Sequence, residues 1–369
     1  MLSLREFWRR HRRKILIIAG AAGSGYLLYR LYNAHRQSLA YLERQLASER
    51  AKEDLVRSQM QAHFENIQRI AETTTLPHAL RSLSNRIAEE LDHSSLIENL
   101  TSSSSQLSYS DKLELWDRLK LLSFSRLVVS IWAMIMITLY IRVQVNILGR
   151  HLYIDIAQEF RSSDTHDDLD FVGWDDQQKF LSSVDFLCND GLLGLISGIQ
   201  SAVTEVLKGK HLKDSFNNAA LLDTIMEIVY TFMGTGRPHQ WVDYMMLENE
   251  MFQRLPSDAI VSDAASSDST RFKAYMGEAR AVLVSAEFRE VMGACLKALV
   301  NAVVCDMMVR FPNNSLASGM PLVKLLPRVA QMGAPLLDEL SQNQYIDIIR
   351  GIPEVELFFS ILYSNLPAI

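Results

Sequence analysis

Apolar residues recur three and four positions apart through most of the chain, which is the periodicity of amphipathic helices. Strand signatures, in which β-branched residues alternate with polar ones between tight turns, are nearly absent. After Pro77 no proline occurs until Pro238, and a proline-free run of that length permits long helices. The pattern predicts an all-α fold, an elongated bundle of long helices.

An apolar segment near the N-terminus predicts a membrane anchor in front of this bundle. The stretch from Ile15 to Tyr29 is uncharged, but as a helix it is only about 22 Å long, against about 30 Å for the hydrocarbon core. A span over residues 15–32 therefore requires the Arg30 side chain to extend to the interface. Phe7 and Trp8 on one side, and tyrosines on the other, are typical interfacial anchors. We predict a single transmembrane helix there.

Two other interpretations of this segment stay open on the pattern alone. A basic start, an apolar stretch and small residues near Gly25 also describe a secretory signal peptide. A basic amphipathic helix lying on the membrane surface is the second alternative. The few cysteines in the remainder argue against export.

The rest of the chain, residues 33–369, is predicted to be a single all-α domain. Residues 33–110 form a helical stalk or packing region, in which Leu39, Leu42 and Leu46 are spaced for one helical face. Pro77 is expected to end or kink a helix there, and a further short helix is expected to end near Asn99. Residues 111–158 form a long central helix with Asp111 as its cap, and residues 177–369 supply the remaining helices.

The centre of the long helix presents a second ambiguity. The fifteen residues from Leu127 to Ile141 are uncharged and bracketed by arginines, so hydropathy alone nominates a second membrane span. Fifteen residues is nearer the length of a core helix, and the helical pattern continues on both sides. We therefore predict a buried core helix.

Charge divides the chain into a basic head and an acidic body. Residues 1–36 carry eight basic residues and one acidic residue, which leaves 29 basic and 42 acidic residues in the remainder. An acidic body repels phosphate backbones, so nucleic-acid binding is not expected. Three scattered cysteines cannot form a disulfide framework, which favours a reducing, cytosol-facing setting.

The chain lacks the motifs that would support catalysis. It contains no phosphate-binding loop, no GxSxG nucleophile elbow and no HExxH motif. The acidic run at residues 164–168 is better interpreted as a solvated loop than as a cation site. The sequence thus predicts no enzyme, no catalytic residues, no cofactor and no metal.

The start of the long helix carries more large apolar residues than one buried stripe requires. Leu113, Trp116 and Lys120 share a face that adjoins the core-facing one. An exposed Trp beside an apolar neighbour and a cation is typical of an interaction hot spot that receives an amphipathic helix. The alternative is that Trp116 only completes the core. The core-facing residues are Leu115, Leu119 and Leu122.

Two blocks of sequence carry a resemblance to a known family. The stretch LELWDRLKLLSFSRLVVSIWAMIMITLYIRVQVNILGRHLYID, from Leu113 to Asp155, resembles the most recognisable block of peroxisome biogenesis factor 3, the third peroxin. The head FWRRHRRKILIIAGAAGSGYLLYRLYN, from Phe7 to Asn33, is similar to the N-terminal region of the plant members. Weaker matches extend to His239–Met246, so the likeness covers most of the chain.

The resemblance implies a docking factor of the peroxisomal membrane that supports membrane-protein insertion and peroxisome biogenesis. Its partner in this family is peroxin nineteen, the cytosolic receptor and chaperone of peroxisomal membrane proteins, whose N-terminal amphipathic helix enters a hydrophobic groove. Trp116 matches the groove tryptophan of the family, and Leu119 and Lys120 match its neighbours. Leu113 is added from the helical wheel. The family likeness also implies that residues 127–141 are a buried helix.

The resemblance further implies a single-pass protein with a lumenal N-terminus and a cytosolic body. It leaves open whether the protein reaches the peroxisome through the endoplasmic reticulum. Positively charged residues ordinarily favour the cytosolic side, so this orientation runs against the simple rule. In the family, the basic cluster belongs to the targeting information, which we expect a receptor or anionic membrane lipid to read. The cluster consists of Arg9, Arg10, Arg12, Arg13 and Lys14.

Two further functions are carried as alternatives. One is a membrane-anchored scaffold that tethers peroxisomes to inheritance or autophagy adaptors through another surface. The other is a secreted helical protein released by signal cleavage.

Overall fold

The computed structural model describes most of the body of the protein and part of the segment before it. The described residues are 64–102, 108–161, 174–246, 265–310, 319–337 and 343–364, with a set of positions between 30 and 62. The predicted targeting cluster at residues 9–14, the acidic run at residues 164–168 and nearly all of the predicted anchor at residues 15–32 lie outside them.

The chain forms two compact units, Met1–His63 and Phe64–Ile369. The described positions of the first unit are helical and exposed. Among them are the three leucines that the sequence spaces along one helical face, Leu39, Leu42 and Leu46. The second unit begins within the stretch 33–110 that the sequence assigned to a stalk or packing region.

The second unit is built almost entirely of helices in its described part, which confirms the prediction of an all-α fold. Two short strands, β1 (Ser215–Phe216) and β2 (Met320–Pro321), pair in antiparallel fashion with Ser215 opposite Pro321. A 3-10 turn occupies Gln240–Tyr244. The helices are α1 (Leu76–Glu90), α2 (Ser94–Ser102), α3 (Tyr109–Arg161), α4 (Trp174–Ser182), α5 (Leu192–Leu207), α6 (Asn218–Gly234), α7 (Ala265–Leu283), α8 (Ala286–Arg310), α9 (Leu322–Leu337), α10 (Gln344–Arg350) and α11 (Pro353–Ser364).

Helix α3 is the axis of this unit. It is 53 residues long, about 80 Å at 1.5 Å per residue, and the helices from α1 to α11 pack around it. It begins two residues before the predicted start and ends three residues after the predicted end. The predicted cap at Asp111 is wrong, because the helix already begins at Tyr109. Ser108 takes the capping position, and its Oγ accepts a hydrogen bond from the Ser110 N–H at 3.3 Å.

The middle of α3 is buried by protein. All fifteen residues from Leu127 to Ile141 are buried, which confirms the prediction of a core helix at this point. Trp132 lies at the centre, with the rings of Phe232 and Trp241 packed edge-on at 5.6 and 6.1 Å between centroids. Such edge-to-face packing is a favoured arrangement of aromatic rings.

Length and composition alone would allow three helical stretches among the described residues to cross a membrane. They are Tyr109–Asp155, Asp175–Leu207 and Ala286–Arg310. The most apolar part of the first is almost entirely buried, whereas half of the corresponding part of each of the other two is buried. The apolar character of the first stretch is therefore accounted for by its position at the centre of the fold.

Pro77 does not end a helix, which was one of the two outcomes that the sequence predicted. Helical backbone precedes it and continues through a π-helical turn, Ala71–Thr75, into α1. The Leu76 N–H donates to the carbonyl of Ala71, and Pro77 occupies the first turn of α1, where its missing N–H costs little. The helix expected to end near Asn99 is instead divided into α1 and α2.

The loop between α1 and α2 docks on α3 through His93. Arg126 Nη1 lies 3.1 Å from His93 Nδ1, so the neutral ring accepts a hydrogen bond from the guanidinium. Burial, together with the charge of Arg126, lowers the pKa of His93 below its ordinary 6.5. The folded state therefore binds this proton less readily than the unfolded chain does.

Acidification is expected to destabilise the body through His93. Because the pKa is lowered in the folded state, the stabilisation is fully present above the unfolded pKa near 6.5 and is lost as the pH falls below it. The melting temperature of the wild type should decrease between about pH 7.5 and about pH 5.5, and a His93→Gln variant should show a smaller decrease. An equal decrease in both proteins would show that His93 does not cause it.

Candidate helix-docking site

The first turns of α3 carry a stripe of mostly apolar side chains whose exposure to solvent decreases along the helix. Tyr109, Leu113, Trp116 and Lys120 follow one another at spacings of four, three and four residues, which place them on one helical face. Tyr109 is 79% exposed and Leu113 is 45% exposed, while Trp116 is partly buried and packs against the main core. Exposed aromatic and aliphatic side chains beside a half-buried Trp form a surface that can receive the apolar face of another helix.

Leu119 and Lys120 lie deeper than Leu113 and Trp116. Leu119 is only 1% exposed and Lys120 only 8%, so neither presents a large area to solvent. The structure brings the four predicted partner-binding residues together on adjoining positions of one helical segment, but in two layers. Leu113 and Trp116 form the accessible layer, and Leu119 and Lys120 are the buried members.

The ammonium group of Lys120 is engaged within the protein. Its Nζ donates to the carbonyl oxygen of Lys210 at 3.0 Å and lies 3.1 Å from Asp117 Oδ1. A buried ammonium requires such partners, because an unpaired charge in the interior is costly. Lys120 thus ties α3 to the segment that follows α5.

The segment at residues 208–216 is itself held by several contacts. Lys210 Nζ donates to Thr224 Oγ1 at 2.8 Å, and the carbonyl oxygens of Leu212 and Asp214 accept hydrogen bonds from the first residues of α9 at 3.0 and 2.9 Å. The β1–β2 pair follows directly. One side of the stripe therefore borders a fixed segment of backbone.

The stripe lies far from the point where the chain enters the compact unit. Phe64, the first residue of that unit, packs against Tyr363 with 5.8 Å between ring centroids. A Cβ atom built on Gly149 would overlap the Phe64 ring, so any larger residue there would force this ring to move. Trp116 and Gly149 are 33 residues apart on α3, which corresponds to about 50 Å along the helix.

Sequence reasoning missed one member of the stripe. Tyr109 precedes Leu113 by four residues, a spacing that places both on one face, but the helix was expected to begin only at Asp111. Ile97 on α2, a helix that packs against α3, is a second exposed apolar side chain. No feature of the sequence singles out Ile97.

The described residues offer little for catalytic chemistry. They contain no group of three or more His, Cys, Asp or Glu side chains arranged to hold a metal ion. Burial raises the pKa of Cys188 and of Cys295 to about 12, so neither thiol is a nucleophile near neutral pH. The stripe on α3 is a candidate binding surface.

Comparison with known proteins identifies the family. The model of the Peroxin-3 family matches residues 95–365. Peroxisome biogenesis protein 3-1 of Arabidopsis thaliana is 49% identical over 366 residues, 99% of each chain, and its paralogue 3-2 is 48% identical over 365 residues, again 99% of each. Peroxisomal biogenesis factor 3 of Homo sapiens is 28% identical over 349 residues, 89% of this chain and 87% of the human one. The chain therefore belongs to the Peroxin-3 family and has a role in peroxisome biogenesis.

Proposed function

We propose that this protein docks the cytosolic receptor of peroxisomal membrane proteins, peroxin nineteen, by binding its N-terminal amphipathic helix along the stripe of α3. The observation that carries the proposal is the gradient of exposure from Tyr109 through Leu113 to the half-buried Trp116. An incoming helix with apolar residues at matching spacings would bury all three side chains at once.

The energy of docking comes from burial of apolar surface. Removing such surface from water contributes about 25 cal/mol per Å², and a central Trp commonly dominates an interface of this kind. Leu119 is buried beside these residues on the same helix, and Lys120 fixes the neighbouring segment through the Lys210 carbonyl. No covalent step is required of the docking protein.

The proposed topology is a single membrane span followed by a cytosolic body. Residues 15–32 anchor the chain as a single span with a lumenal N-terminus, and the body faces the cytosol. A receptor bound at the stripe would then reach into the cytosol while its cargo is held near the bilayer.

A charge placed on the stripe should abolish docking. The full-length chain in phosphatidylcholine nanodiscs is titrated by calorimetry with a synthetic N-terminal helix of peroxin nineteen, as wild type and as Leu113→Glu. The variant should bind at least tenfold more weakly, because a carboxylate would have to be buried without a partner. Leu357→Glu on α11 is the matched control, since Leu357 is also exposed, and it should bind as the wild type does.

Two results would contradict the proposed site. Equal loss in Leu113→Glu and Leu357→Glu would indicate a general effect of added charge rather than a docking surface. Equal affinity of the Leu113→Glu variant and the wild type would place the receptor on another surface.

The basic cluster at Arg9, Arg10, Arg12, Arg13 and Lys14 is proposed to carry targeting information. A concentration of positive charge beside an apolar segment suits recognition by an acidic receptor surface or by anionic lipid. Replacing the five residues with uncharged residues, while keeping Ile15–Tyr32, should misdirect the protein. Fluorescence microscopy of the tagged protein measures its delivery. Unchanged delivery to peroxisomes would contradict this role.

A further inference from the structure

A cavity of about 350 Å³ lies between the end of α6, the loop that follows it and α8. Tyr230 and Met233 from α6, Trp241 from the 3-10 turn and Leu296 from α8 supply its apolar walls. This volume is within the range of sites that bind small organic molecules. Because Trp241 packs on Trp132, the cavity lies about 24 Å along α3 from Trp116 and is separate from the stripe.

Arginine side chains line part of the cavity. Arg237 and Arg289 belong to its lining, which contains no Asp or Glu among the described residues. The Arg289 guanidinium lies 3.0 Å from His239 Nε2, and within the described part of the chain the His239 ring is the only polar side chain that it contacts. An arginine beside an imidazole instead of a carboxylate leaves its positive charge available to an anion.

A glycine inside a helix borders the cavity. Gly293 lies in the interior of α8 and also lines the cavity. A Cβ atom built on it would meet nothing within 4 Å, so packing within the protein does not require glycine here. Glycine is the poorest helix former after proline, and at this position its missing side chain adds to the open space of the cavity.

The loop that closes the cavity has a fixed and unusual backbone. Gly236 and His239 both have positive φ, at 83° and 62°, and His239 is the sole non-glycine residue with positive φ in the described ranges. The Arg237 N–H donates to Gln240 Oε1 at 3.2 Å, and the Gln240 N–H donates to the Arg237 carbonyl at 3.0 Å. Left-handed backbone at a residue other than glycine is uncommon and clusters at ligand sites.

We propose that this cavity binds a small organic anion, a phosphate or carboxylate attached to an aromatic or short aliphatic body. The apolar body fills the space above Gly293 and between Tyr230 and Trp241, and the anionic group pairs with Arg289. An apolar molecule without the anionic group, or an anion without the apolar body, would use only part of the site, because the walls offer apolar contact and Arg289 offers charge.

The test uses 1-naphthyl phosphate, which combines a phosphate with an aromatic body. Calorimetric titration of the full-length chain in phosphatidylcholine nanodiscs, with empty nanodiscs as the blank, should show saturable binding. 1-Naphthol and inorganic phosphate should each bind at least tenfold more weakly. Arg289→Ala should weaken binding of 1-naphthyl phosphate at least tenfold.

Two glycine variants separate the cavity from the rest of the fold. Gly293→Leu should fill the cavity and abolish binding without loss of thermal stability, since its Cβ meets no neighbour and leucine favours helix. Gly277→Leu on α7 is the matched control, because a Cβ there also meets nothing within 4 Å, and it should bind as the wild type does. Absence of binding to the wild type, or equal affinity of Gly293→Leu and the wild type, would overturn the proposal.

Discussion

Replacement of Trp116 by alanine should weaken binding of the receptor helix by at least about 2 kcal/mol, roughly thirtyfold in affinity. Trp116 lies at the centre of the accessible layer, half-buried and supported by the main core, so its ring is already ordered before the partner arrives. An ordered aromatic side chain loses little conformational entropy on binding, which is why such residues dominate interfaces. Calorimetry on the full-length chain in nanodiscs measures the change.

The control for this variant lies on the same helix. Tyr153 is an exposed aromatic residue of α3, 37 residues beyond Trp116, and Tyr153→Ala should leave the affinity unchanged. Because Trp116 also contacts the core, the melting temperature of Trp116→Ala must be measured alongside. Wild-type affinity in a folded Trp116→Ala protein would exclude Trp116 as the anchor of the interface.

The largest loss of stability is expected at Trp132. Its side chain is fully buried and packs edge-on against Phe232 and Trp241, so Trp132→Ala would leave a cavity at the centre of the fold. Truncations of this kind reduce the free energy of unfolding by about 3–5 kcal/mol. Urea titration with proteolytic susceptibility as the readout measures the loss, and Tyr153→Ala should change it by less than about 0.5 kcal/mol.

A second substitution at the same position tests the cause of this effect. The Trp132 indole N–H is buried and has no hydrogen-bond partner within the described residues. Trp132→Phe keeps an aromatic ring and removes this unsatisfied donor, so it should cost much less than Trp132→Ala. If the two variants were equally destabilised, loss of aromatic packing would not explain the result.

The helical class and the central helix were predictable because they depend on local periodicity. The buried character of Leu127–Ile141 was predictable for a similar reason, since the length of the apolar run and its helical flanks favour a core. The π-helical turn before Pro77 could not be predicted in this way. There the Leu76 N–H donates to the Ala71 carbonyl, and the helix continues past the proline. A proline alone predicts only that a helix is interrupted.

The proposed docking stripe was predictable only in part. The spacing of Leu113 and Trp116 identifies a shared face, but the engagement of Lys120 depends on Lys210, ninety residues away in the chain. The cavity beside Arg289 is formed by three segments that are separate in the sequence, so no local sequence pattern predicts it. Contacts between distant segments determine which side chains are covered, and sequence spacing does not report them.

The central position of α3 has a consequence for synthesis of the protein on the ribosome. Helix α9 packs against α3 more extensively than any other described helix does, yet it begins at Leu322, 181 residues after Ile141. At about 5–20 residues per second, the ribosome needs roughly ten to forty seconds to produce that cover. During this interval the side of α3 that α9 covers has no cover from that helix. Complete burial of the central helix therefore has to wait until Leu322–Leu337 has been synthesised.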